Sequence, residues 1–119
     1  MIASARYPRL DRGTLAVFSP AVITGLLRRD LGYRGLVVSD DLGQAGAVAA
    51  VEPGARATRF VAAGGDLVLT VVPDRAGAMY DALLAAATGS ASFRARVQSA
   101  ATSVLASKRR AGLLACPSS

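Results

Sequence analysis

The chain has 119 residues, enough for one domain and too few for two. Hydrophobic residues make up 52% of it and aromatics only 5%, which excludes a disordered chain and favours close helix-on-sheet packing over surfaces that stack bases or sugars. The net charge of +6 rests almost wholly on Arg94, Arg96, Lys108, Arg109 and Arg110, so it reads as a solvated helix face with cations near the helix C-terminus, not as a nucleic-acid or lipid surface.

Taken in chain order, Met1 to Ala5 reads as a short strand, stopped by Arg6-Tyr7-Pro8, and Pro8 to Phe18 as a polar, irregular connection. Ser19-Pro20 opens a helix, with Ser as N-cap and Pro at the first helical position. Val22, Ile23, Leu26 and Leu27 fall at helical spacing inside it, Arg28, Arg29 and Asp30 face out, and Gly32 ends it. Gly35-Leu36-Val37-Val38-Ser39 has the β-branched, uninterrupted apolar character of a strand buried on both faces, with Asp40-Asp41 at its C-terminal end. Leu42 to Val51 reads as a loop with a helical turn.

Glu52-Pro53-Gly54 starts a second helix that runs to about Ala63, with Ala57, Phe60 and Val61 inward and Gly64-Gly65 after it. Asp66 to Val72 is a second strong strand. A third helix covers roughly Arg75 to Ala87 with Met79, Leu83 and Leu84 on its apolar side. Beyond a break at Thr88-Gly89-Ser90, a last helix from Ala91 to Ala111 aligns Phe93, Val97, Ala101, Val104 and Leu105. Residues 113–119 read as a disordered tail, and Cys116 within it, the only cysteine, has no partner for a disulfide and no assigned role.

Strands alternating with helices at starts about 30 to 35 residues apart are parallel, because a helical crossover returns the chain to the same edge. Three such strands leave open edges and an uncovered sheet face. The spacing suits a (β/α)8 barrel, of which the chain would supply about three β/α units plus a terminal helix. The class expected from spacing is therefore α/β, either a small open sheet or a piece of such a barrel.

In parallel α/β folds ligands meet the C-terminal ends of the strands, and only Ser39-Asp40-Asp41 concentrates charge at such an end. A carboxylate there can act as nucleophile, general base or cation ligand; equally, it can cap the following turn through backbone N–H groups. Adjacent residues of an extended chain point to opposite sides, so Asp40 and Asp41 are not a pair sharing one substrate atom. One is expected at the mouth and the other bracing a loop. Histidine is absent, which removes Ser-His-Asp and Cys-His catalysis and most transition-metal sites, and no metal or cofactor is expected. No window is apolar enough to span a membrane. Met1 to Pro8 lacks the layout of a signal peptide, so a cytoplasmic location is the default expectation.

The run Leu31-Gly32-Tyr33-Arg34-Gly35-Leu36-Val37-Val38-Ser39-Asp40-Asp41-Leu42-Gly43 resembles the nucleophile segment of glycoside hydrolase family 3. Upstream, Met1 to Pro8 and Ser19 to Leu27 resemble the preceding barrel strand and helix. Downstream, Ala62-Ala63-Gly64-Gly65-Asp66-Leu67-Val68-Leu69 resembles the approach to the last strand. The likeness covers residues 1–112 and implies the C-terminal portion of a (β/α)8 TIM barrel, its last three strand-helix units; Asp-Leu after Asp40 is closer to the β-N-acetylglucosaminidase branch than to the β-glucosidase branch.

The resemblance implies retaining hydrolysis of a terminal β-linked amino-sugar glycoside. Asp40 would be the nucleophile, with Ser39, Asp41 and Ser4 as substrate-binding candidates. It also implies an acid/base His and a Lys-His sugar-binding motif on upstream segments absent from this sequence, and a frequent His at the position of Ser4. The chain alone is therefore expected to be inactive and poorly soluble, its partner the missing N-terminal part of the barrel. A half-barrel that complements another chain is the alternative. A receiver-like phosphoacceptor is a weaker rival, because Pro73-Asp74 ends the later strand and the only Lys lies in the terminal helix.

Overall fold

The computed structural model describes residues 1–114, so most of the expected tail, including Cys116, lies outside the described residues. Its centre is a set of parallel segments. β3 (Val38–Asp41) pairs with β4 (Leu67–Leu69), Val38 opposite Leu67 and Asp41 opposite Leu69. On the other flank of β3, Ile2 bridges to Ser39 in parallel; its N–H donates to Val38 O at 2.8 Å, and its carbonyl accepts from Asp40 N at 3.0 Å. The parallel α/β arrangement read from the spacing is present. The C-terminal tips of the three segments, near Ser4, Asp41 and Thr70, share one rim.

Local readings change, the strand expected at Met1 to Ala5 being reduced to the single bridge at Ile2. Pro8 to Phe18 is not irregular: β1 (Arg6–Tyr7) and β2 (Asp11–Leu15) form an antiparallel hairpin, followed by a 3-10 turn at Ala16–Phe18. The strand expected at Gly35–Ser39 begins three residues later, and the two aspartates lie inside its end. The strand expected at Asp66–Val72 is only three residues long, because the Thr70 hydroxyl accepts from Val72 N at 3.1 Å and turns the chain. Leu67 and Leu69 are about two-fifths exposed, so the side of β4 that carries them is uncovered.

Helices pack against the sheet. Ala21–Asp30 is wound as a π-helix, the Leu31 N–H that follows it reaching Leu26 O. Ser19 caps its start through a hydroxyl that accepts from Val22 N at 3.3 Å, and Gly32 leaves it at a φ of 66°. α1 (Pro53–Ala62), α2 (Pro73–Gly89) and α3 (Ala91–Arg110) follow. On α1 Ala57, Phe60 and Val61 are buried as expected. On α2 Met79 is buried, but Leu84 points to solvent. On α3 the inward stripe is Phe93, Val97, Ala100 and Val104, not one through Ala101 and Leu105, which are exposed. The core gathers Val17, Ile23, Val37, Leu42, Val48 and Phe60. A Cβ on Gly65 would come within 2.1 Å of the Phe60 ring, so only glycine lets the chain pass over that ring into β4. Among the described residues no helix is long and apolar enough to cross a membrane.

The rim opposite the strand tips is tied by one carboxylate. Asp66, 8% exposed, accepts from Arg28 at 2.5 Å, Arg96 at 2.9 Å and the Val37 N–H at 2.9 Å. One side chain thus joins the π-helix, α3 and the approach to β3.

Candidate active site

Backbone geometry places the candidate residues. The N–H of Asp40 is used by Ile2 O and that of Leu42 by Leu69 O (2.9 Å), so the strand is held on both sides at the point where the aspartates emerge. The two carboxylates diverge, as alternation in an extended chain requires. Asp40 turns toward the first segment, where its Oδ2 accepts from the Ser4 N–H at 3.1 Å; its Oδ1 accepts from the Asp41 N–H at 2.8 Å. Asp41 turns toward the other side, its Oδ1 accepting from Gly43 N at 2.8 Å and Val71 N at 3.2 Å. One carboxylate stands at the rim and the other braces the loop behind it.

Asp40 is half-buried, and its carboxyl is held below the ordinary aspartate value, first by the Ser4 N–H and then by the Asp41 N–H, against a smaller opposing cost of burial. The Ser4 hydroxyl acts in the same direction without meeting hydrogen-bond geometry; its oxygen is buried with no partner among the described residues. The result is an ionised carboxylate at neutral pH. Each of its oxygens retains acceptor capacity beyond the single bond it makes.

Ser39 lies elsewhere than expected. It is fully buried, its hydroxyl donating to Asp40 O at 2.7 Å and accepting from Leu69 N at 2.8 Å. Both hydroxyl functions are spent inside the sheet, so Ser39 joins β3 to β4 and has no path to a substrate. Of the four candidates, Asp40 and Ser4 come together at the rim, Asp41 stands behind it, and Ser39 is in the interior.

Sequence reasoning missed two arginines that shape the loop after the aspartates. Arg56, 4% exposed on α1, donates to Leu42 O at 2.7 Å, Gly43 O at 2.9 Å and Val51 O at 2.5 Å. Arg75 at the start of α2 donates to Gly43 O as well. The signal for Arg56 was present: a cation sharing the inward face of α1 with Ala57, Phe60 and Val61 needs acceptors there. Among the described residues no cluster of three or more Cys, Asp or Glu is placed to hold a metal ion.

Known proteins similar to this chain share one family. The curated β-hexosaminidase of Bordetella pertussis is 42% identical over 83 residues, covering 70% of this chain and 23% of that protein. The crystal structure of a β-N-acetylhexosaminidase from Beutenbergia cavernae superimposes with a TM-score of 0.86 at 37% identity, over 89% of this chain and 32% of that one. A glycoside hydrolase family 3 β-N-acetylglucosaminidase from Paenibacillus sp. str. FPU-7 gives a TM-score of 0.78 at 34% identity, over 94% and 22% of the two chains. The chain thus spans between about a fifth and a third of these relatives. Residues 1–107 match the family described as glycosyl hydrolase family 3 N terminal domain, and the chain belongs to that family.

Proposed function

We propose that the chain supplies the nucleophile of a retaining β-N-acetylhexosaminidase, as three consecutive strand-helix units of a (β/α)8 barrel. The observation that carries this reading is Asp40: a carboxylate at the C-terminal tip of a parallel strand, kept ionised by two backbone N–H groups and not sealed in an apolar pocket. The names of the similar proteins support the amino-sugar substrate class.

In this reading a carboxylate oxygen of Asp40 attacks the anomeric carbon, the bond to the leaving-group oxygen breaks, and a glycosyl ester on Asp40 forms before water releases the sugar. The Ser4 and Asp41 N–H groups orient the carboxylate for attack. Asp41 and the two arginines hold the loop from Leu42 to Val51 in place behind it. Protonation of the leaving group needs an acid, and the family resemblance assigns that task to a His, a residue this sequence does not contain. Loss of general-acid help alone costs about 10²–10⁴-fold in rate. The 119-residue chain by itself is therefore inactive, and activity requires the remaining barrel strands.

The test is incubation with an aryl β-N-acetylglucosaminide, with and without an upstream barrel segment prepared from a β-hexosaminidase relative. Turnover is expected only in the mixture and is lost in Asp40→Ala. Release of the aryl group by the chain alone, or by an Asp40→Ala mixture at the same rate, refutes the reading.

A further inference from the structure

Ser4 reaches Asp40 through its backbone. Its N–H donates to the carboxylate at 3.1 Å, whereas its hydroxyl oxygen is buried without a hydrogen-bond partner among the described residues. An N–H lies in the plane of its peptide and cannot re-aim by turning a side-chain bond, so its direction is set by what holds the chain on either side. Upstream that is Ile2, paired to Val38 and Asp40. Downstream it is Ala5, whose carbonyl accepts from Ala16 N at 2.8 Å across the base of the β1–β2 hairpin.

A carboxylate fixes the Ala16 end of that bond. Asp11 opens β2 and divides its two oxygens between two tasks. Oδ1 accepts from the N–H groups of Gly13 and Thr14, both at 3.1 Å, and so shapes the turn. Oδ2 accepts from Ser19 Oγ at 2.6 Å. Ser19 is fully buried; its N–H donates to Ala16 O at 3.2 Å, and its hydroxyl accepts from Val22 N at 3.3 Å where the π-helix begins. Four hydrogen bonds between neighbouring groups thus run from Asp11 to Ser19, from Ser19 to Ala16, from Ala16 to Ala5, and from Ser4 to Asp40. The Ser19 hydroxyl is also the leading reason that the Asp11 carboxyl sits below the ordinary aspartate value, so the first of these bonds is made by a charged acceptor at neutral pH. No other acid occurs between Met1 and Arg29, so no neighbour in that stretch can take its place.

Resting on the hydrolase reading above, we propose that Asp11 is a positioning residue for the nucleophile: by clamping the base of the hairpin through Ser19, it fixes the Ala5 carbonyl and with it the aim of the Ser4 N–H at Asp40. Asp11 touches no substrate and moves no proton. The sign of its effect separates this role from direct electrostatics. Removing a nearby negative charge lowers the pKa of a second carboxyl, whereas loosening a donor that stabilises the carboxylate raises it.

The experiment follows the Asp40 carboxylate carbon and the Ser4 amide by NMR over acidic pH in the isotopically labelled 119-residue chain. A Ser4→Pro chain, which lacks the donor, sets the full displacement. Asp11→Ala is expected to raise the Asp40 midpoint by part of that displacement and to move the Ser4 amide. Asp11→Asn keeps an acceptor oxygen and recovers most of the original behaviour. Ser19→Ala reproduces the rise, and the double variant adds little to it, because both changes cut the same bond. Should Asp11→Ala fail to fold, Ser19→Ala carries the same comparison. Asp66→Asn loosens the opposite rim and leaves the midpoint in place. In the mixture with an upstream barrel segment, Asp11→Ala lowers kcat for an aryl β-N-acetylglucosaminide about tenfold with KM unchanged, as a slightly misplaced reacting group does. An Asp40 midpoint unmoved or lowered in Asp11→Ala and Ser19→Ala makes Asp11 a staple of the hairpin alone; so does an equal rise in Asp66→Asn. Either result overturns the proposal and leaves the hydrolase reading standing. If the unmodified mixture turns nothing over, the hydrolase reading falls, and the titrations still judge the clamp by themselves.

Discussion

Asp40 differs from a generic surface carboxylate in having a backbone N–H aimed at each of its oxygens. The larger of the two influences comes from Ser4, which lies on a different segment. A carboxyl whose folded-state pKa is depressed contributes stability above its unfolded value of 3.8, and that contribution disappears as pH falls through the lower folded-state value. The same ordering keeps Asp40 ionised into more acidic solution than an ordinary aspartate. Replacing Ser4 by Pro removes the donor and leaves the second one intact. Its expected effect is an upward move of the Asp40 titration, read from carboxylate carbon shifts in an NMR series over acidic pH; an unchanged midpoint would mean that the Ser4 N–H does not govern the charge. Ser39 is a contrasting residue, because its importance is to stability. Ser39→Ala removes the buried hydroxyl that accepts from the Leu69 N–H and is expected to cost about 0.5–1.5 kcal/mol, measured by urea unfolding, with the Asp40 titration unmoved.

At the scale of elements, Asp66 is the strongest single tie. Its carboxylate is nearly inaccessible, while the Arg28 and Arg96 side chains keep about a fifth of their exposure. Breaking a largely buried charge cluster from one side leaves two guanidiniums and the Val37 N–H short of their acceptor. Asp66→Asn is expected to destabilise the chain by about 2–4 kcal/mol, discounted for the exposed arginine ends, and to raise amide exchange in both the π-helix and α3. Exchange that rises in only one helix would show that the two are not held by the same group. The elements themselves were unequally legible. α1 and the β3 region announce themselves through apolar runs bounded by glycine. The hairpin did not, because its strands Arg6–Tyr7 and Asp11–Leu15 lack apolar alternation and are held by side chains bonding to backbone, Asp11 to Gly13 and Thr14, and Arg6 to Gly13. Periodicity has no purchase on such bonds. β3 extends through two aspartates for a similar reason: pairing of Asp40 N with Ile2 O and Leu42 N with Leu69 O overrides their low strand propensity. For the site, the position of Asp40 at a strand tip was readable from the pattern. The direction of the Ser39 side chain was not, since it depends on which neighbour lies on each flank.

At the scale of the whole molecule, two features of the sheet stay open. β4 is paired only with β3 among the described residues; Leu67 and Leu69 along it are 39% and 40% exposed, and Val71 just beyond it is 58% exposed. On the opposite flank the first segment pairs with β3 through the single bridge at Ile2, with Met1 at 82% exposure beside it. An edge with unpaired N–H and C=O groups next to an uncovered apolar face is a template for pairing with another chain. In a closed barrel such an edge is removed by the next strand; on the reading proposed above, the surface that would join the rest of a barrel drives association when that partner is absent. The 119-residue chain is therefore expected to self-associate as its concentration rises, with sedimentation velocity showing species larger than 12.1 kDa. Leu69→Lys places a charge on that face without touching the Asp66 cluster or the Asp40 carboxylate. It is expected to shift the distribution toward monomer, and added upstream barrel segment should do the same for the unmodified chain by forming a one-to-one complex. A chain that stays monomeric at every concentration, with a single cooperative unfolding transition, would mean that these edges are sufficiently protected by the helices already present.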